Sequence, residues 1–128
     1  MGGREIYVQI EKDLSEYSEE VRKESFEVFA QVAQEAVTRL KATSPRSKGG
    51  GKHYASGWRA KKDKKNLRVV VHNATKPGLT YLLEESHPIK NQYGTFGMSK
   101  AIPHIRPVEE WANEEVLRRV EEVLSKGD

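Results

Sequence analysis

The chain has 128 residues, 36% of them hydrophobic and 32% charged, with a formal net charge of +3. That length suits one domain, 1–128, burying roughly two-thirds of its unfolded surface around one core. There is no cysteine, which excludes disulfides and thiolate chemistry, and no apolar run approaches the ~20 residues of a membrane span.

The first stretch, MGGREIYVQIEK, lacks the apolar core and cleavage site of a signal peptide, so cytoplasmic synthesis is expected. Arg4–Ile10 alternates Ile6, Val8 and Ile10 against Tyr7, the signature of a short strand. Asp13 or Ser15 can cap the next helix, with Glu16, Glu19 and Glu20 crowding its positive end. That helix is expected over about Ser15 to Ala42. Val21, Phe26, Phe29, Val32, Ala33, Ala36, Val37 and Leu40 form its wide apolar stripe.

Residues 44–53 read as a flexible basic loop around Gly49, Gly50 and Gly51. A phosphate-binding loop would need a strand before it and a helix after it, and here the order is reversed. Tyr54–Lys62 reads as a strand with Trp58 and Ala60 on one face, Arg59 and Lys61 on the other. Asp63–Asn66 is a turn, and Leu67–Asn73, with three consecutive valines, is a second strand. The two should form an antiparallel hairpin with a lysine-rich tip. Leu79–Glu85 carries leucines at helical spacing, a short helix. Residues 86–100 mix Gly, Pro and polar residues with Tyr93, Phe96 and Met98, and read as a flexible loop. Pro103 and Pro107 bracket His104, Ile105 and Arg106, which predicts a rigid arm with Ile102 and Arg106 extended. Pro107 then opens a helix running to about Lys126, with Glu109 and Glu110 near its positive end. The order implies an α+β fold: a small, mainly antiparallel sheet covered by the first and last helices.

Charge is unevenly placed. Residues 11–27 hold seven acids against three bases, and residues 46–68 hold nine bases against Asp63 alone. The basic segment is either a solvated hairpin or a phosphate-contacting one. The second alternative describes a small nucleic-acid-binding module, with Arg59, Lys61, Lys62, Lys64, Lys65 and Arg68 on phosphates and Trp58 or Tyr54 stacking. Catalytic patterns are absent: there is no HExxH, no GxSxG and no carboxylate pair set apart from helix faces. His87 and His104 with Glu84 are the nearest approach to a metal set, and a His between prolines is ordinarily a packing and hydrogen-bonding residue. Glu114 with Arg118 and Glu115 with Arg119 look like solvated helix pairs.

Several stretches together resemble a known family. They are Gly57–Arg59 (GWR), a strand closing on His72–Asn73, Lys76–Glu84 (KPGLTYLLE), His87, Pro103–Pro107 (PHIRP) and a helix opening on Glu109, Glu110 and Trp111. From about residue 42 onward the chain is similar to the tail-component family of long-tailed bacteriophages, the tail-completion or head–tail joining proteins. It departs from the pattern at Glu85 and Ser86, where members often carry an aromatic residue and a glycine. The resemblance implies a structural virion protein of the tail or neck, with no catalysis, metal or cofactor. Its implied partners are copies of itself in a ring of six, the tail tube protein and the head connector, with DNA passing nearby. The motif residues carried over are Trp58, Leu82, His87, Pro103, His104, Arg106, Pro107 and Trp111. Arg46, Lys48, Lys52, Tyr93, Phe96 and Met98 are the expected interface residues.

Overall fold

The computed structural model of the chain describes residues 3–46 and 53–126. Strand β1 (Ile6–Val8) leads into helix α1 (Glu19–Thr43). Strands β2 (Trp58–Asp63) and β3 (Arg68–Asn73) follow, then helix α2 (Leu79–Glu84), strands β4 (Pro88–Asn91) and β5 (Gly94–Met98), and helix α3 (Ile105–Lys126). The fold is α+β, as expected. The sheet has strand order β1-β3-β2 and is antiparallel throughout, with Ile6 opposite Val71 and Trp58 opposite Asn73.

Period-2 alternation puts Ile6, Val8, Val69, Val71 and Trp58 on the face that α1 and α3 cover. From α1 the set in the core is Phe29, Val32, Ala33, Ala36, Val37 and Leu40, with Val21 and Ser25 also buried. From α3 it is Ile105, Val108, Ala112, Val116 and Val120, at steps of three and four. Arg119 clamps the two helices from outside, its guanidinium donating to both Glu35 carboxylate oxygens at 2.5 and 3.0 Å. Arg118 pairs with Glu115 and Glu122 rather than with Glu114.

Five expectations need correction. Helix α1 starts at Glu19, capped by Ser18, whose Oγ accepts the Val21 N–H at 3.2 Å. Asp13 spends its carboxylate on the Ser15 N–H at 2.9 Å, and buried Leu14 pins that turn to the core, so residues 11–18 cannot join the helix. Strand β1 is only three residues long. Tyr54–Gly57 is a 3₁₀ turn rather than the start of a strand. There Gly57 lies so close to the Thr75 side chain that a Cβ would sit 2.5 Å from its Oγ1. Helix α3 begins at Ile105, so Arg106 is helical and not extended, and Glu109 and Glu110 fall in the second turn. Finally, residues 86–100 are not a loop. They form the antiparallel hairpin β4–β5, with Pro88 opposite Met98 and Asn91 opposite Gly94.

Candidate functional site

Glu84, the last residue of α2, explains the early start of α3. Its Oε1 accepts the backbone N–H of His104 and of Ile105, and its Oε2 accepts that of Arg106, all at 2.8 Å. These are donors that a helix N-terminus leaves without partners in its own chain segment, and a carboxylate also suits the positive end of the helix. Burial pushes the Glu84 pKa up, but the three N–H donors and neighbouring His104 outweigh it, and the carboxyl sits below its ordinary range.

His104 is buried beside this cap. Its Nδ1 lies 2.7 Å from the Ile102 carbonyl and 3.1 Å from Glu84 Oε1, both acceptors, so Nδ1 carries a proton. Its Nε2 lies 2.7 Å from the Tyr54 hydroxyl. Burial, helped by the Glu84 charge, pushes the Tyr54 hydroxyl well above its ordinary range. Tyr54 and His104 each meet the fully buried Trp58 ring edge-on, and Trp58 Nε1 donates to Ser44 Oγ at 2.8 Å. The motif residues Trp58 and His104 are thus brought together, as a packed polar hub. Both His104 nitrogens are engaged within the chain. Among the described residues no three of the His, Asp and Glu side chains are grouped to hold a metal ion.

The other motif residues lie elsewhere. Trp111 is half-buried under the Arg39 guanidinium, 4.0 Å from its ring centre. Leu82, Pro103, Arg106 and Pro107 are exposed. His87 closes the base of the β4–β5 hairpin. Its N–H donates to Ser99 Oγ at 3.0 Å, its Nδ1 meets that oxygen at 2.8 Å, and its carbonyl accepts the Ser99 N–H at 2.7 Å.

Above that base the hairpin stands clear of the body. Tyr93 is 79% exposed, Phe96 58% and Met98 60%. Gly94 and Gly97 both have positive φ, with nothing near a would-be Cβ. Gly97 falls where the pairing register shifts, a bulge that bends β5 and re-aims its side chains. Nine large hydrophobic residues are exposed among those described, and seven of them lie between Tyr81 and Ile102. So many exposed large apolar side chains in one stretch of chain are more than scattered single residues would give. The hairpin carries the expected interface residues Tyr93, Phe96 and Met98 on structure already formed, not on a free segment. Arg46 donates to the Lys41 carbonyl at 3.0 Å, finishing α1, while Lys48, Lys52 and the glycine triplet lie outside the described residues.

The basic residues of β2–β3 are divided. Arg59 and Lys61 share the outer sheet face with His72 and Val70, and Arg59 is held by the Ser56 and Trp58 carbonyls at 2.8 Å. Lys62 lies opposite Val69 on the helix-facing side. With Lys64 it borders a groove that includes Glu19 and Glu27 of α1. Lys65 is exposed at the tip.

Sequence reasoning missed the Glu84 cap and the hairpin. The cap had no local signal, since its partners lie about twenty residues away in the chain. No helix among the described residues is long and apolar enough to cross a membrane. No curated protein and no solved structure matches the chain. One family does match, "Bacteriophage HK97-gp10, putative tail-component", over residues 9–96. The match takes in α1 and most of the hairpin and ends before the arm at Pro103–Pro107. It covers more than half of the chain, which therefore belongs to the HK97-gp10-like family of bacteriophage tail components.

Proposed function

We propose that this chain is a tail-completion subunit, copies of which close into a ring of six at the head-proximal end of the tail tube. In this reading the whole chain, 1–128, acts as one joining domain. Its partners are its own copies, the tail tube protein and the head connector, and its place in the virion is the neck.

The observation that carries the reading is the β4–β5 hairpin. It is a preformed, wholly exposed two-stranded element with large apolar side chains, anchored at its base by Ser99 and His87. Such an element is marginal alone in water and gains its stability by packing against something else. A ring subunit needs a surface of this kind, because each copy must bind the next through a patch that is not self-complementary.

The test is assembly. Virions made without this protein should accumulate filled heads and separate, finished tails. Light scattering over a wide concentration range should show monomers passing to one closed species. Normal joining of heads to tails in its absence would overturn the reading.

A further inference from the structure

The exposed hydrophobic residues fall into two groups. Ile89, Tyr93, Phe96 and Met98 lie on the hairpin, and Tyr81, Leu82 and Ile102 flank it in the chain. The other two, Tyr7 and Leu117, are 42% and 52% exposed and line one groove between the exit of β1 and α3. That groove, of about 450 Å³, is also bordered by Gln9, Ile10, Glu11, Lys12, Asn113 and Val116. The chain thus presents one protruding element with apolar side chains and one recess of mixed polar and apolar lining. The hairpin returns at the start of α3, and Leu117 lies twelve residues beyond Ile105, about 18 Å along that helix.

The hairpin is basic, and the α3 surface beside the groove is acidic. Residues 86–100 hold Lys90 and Lys100 and no Asp or Glu. Beside Leu117, at spacings of three and four on α3, stand Glu114 and Glu121, and Glu11 closes the other wall. The nearby cations are engaged: Arg118 with Glu115 and Glu122, and Lys12 over the Tyr17 ring at 5.3 Å. The competing grooves suit a cationic hairpin less well. The one at Phe26 sets Arg22, Lys23, Lys62 and Lys64 against Glu19 and Glu27, and the one at Trp111 is bordered by Arg39.

We infer that the β4–β5 hairpin of one copy seats in the β1–α3 groove of the next, placing Phe96 against Leu117 and the hairpin lysines against Glu114 and Glu121. This rests on the ring reading and names its mating surfaces. A protrusion and a recess on separate parts of one chain make a head-to-tail contact, which repeats until rotation closes it. Charge complementarity then fixes the register of the hairpin and hastens encounter.

The absence of cysteine makes the test direct. Full-length Phe96→Cys and Leu117→Cys chains, mixed and mildly oxidised, should give a cross-linked dimer. The double variant should give a ladder ending at the ring. Phe96→Cys with Lys23→Cys, at the Phe26 groove, should stay unlinked. Glu114→Lys with Glu121→Lys should weaken self-association about tenfold or more, and Lys90→Glu with Lys100→Glu in the same chain should restore it. All these positions are exposed, so the variants keep the core. Rings that form without the Phe96–Leu117 link, or that link to position 23, overturn the seating and leave the ring reading standing. A chain that stays monomeric at every concentration and on tail tubes overturns both.

Discussion

The hub at the start of α3 and the β4–β5 hairpin are neighbours in the chain and opposites in construction. In the hub every polar group is paired inside the protein. Glu84 holds three N–H groups, His104 uses both ring nitrogens, and Trp58 finds Ser44. In the hairpin the large apolar side chains face outward, and His87 and Ser99 tie its base. One region holds the fold, and the other carries exposed apolar surface that the fold does not use. If the proposed assembly is right, stability and assembly rest on separate residues, and each can be altered alone.

The largest effect that would test this division is Trp58→Ala. The side chain is fully buried, and its loss should lower stability by about 4 kcal/mol in urea unfolding. Glu84→Gln comes next. It keeps the volume but offers fewer acceptors to three buried donors, and should cost about 2–3 kcal/mol at neutral pH, roughly 5–10 °C in Tm. Because the folded pKa of Glu84 is depressed, the stability it contributes is present above its ordinary value of 4.5 and is lost as pH falls below it. The gap between wild type and variant should therefore close in acid. A gap independent of pH would show that the carboxylate charge is not what holds α3.

Tyr54→Phe should cost about 1 kcal/mol at neutral pH, one hydrogen bond to His104. Here the sign reverses. The folded pKa is raised, so the wild-type hydroxyl favours the fold below its ordinary value of 10.0 and disfavours it as pH climbs above. The variant should gain on the wild type in alkali. The smallest effect on stability belongs to Phe96→Ser combined with Met98→Ser, expected within about 0.5 kcal/mol of wild type because both side chains are exposed. The same variant should lose self-association by more than tenfold. If it unfolds the monomer instead, hairpin and hub are not separate.

The hub's parts were legible one at a time. A stripe at steps of three and four marked α1 and α3, three valines marked β3, and two prolines marked His104 as a packed residue. What joins them was not legible. The Glu84 carboxylate reaches residues 104–106 only because the chain folds back, and no spacing rule records that. Asp13 has the right composition for a helix cap and closes a turn of its own instead. The hairpin hid for another reason. Residues 86–100 have two glycines, a proline and few β-branched residues, and the shift at Gly97 breaks the alternation by which a strand is recognised. The Tyr93, Phe96 and Met98 side chains stood out, but whether they were tucked in or turned outward depended on that unseen pairing.

The hairpin leaves the body at Leu83 and returns at Ile102, whose N–H donates to the Leu83 carbonyl at 2.8 Å. Departure and return are thus one knot, and beyond Glu84 the stretch from His87 to Ser99 is a closed excursion. Lengthening, shortening or recolouring that excursion changes its closure entropy only slowly with length and leaves the rest of the fold untouched. It is a separable excursion, whose length and side chains can change while the interior stays the same.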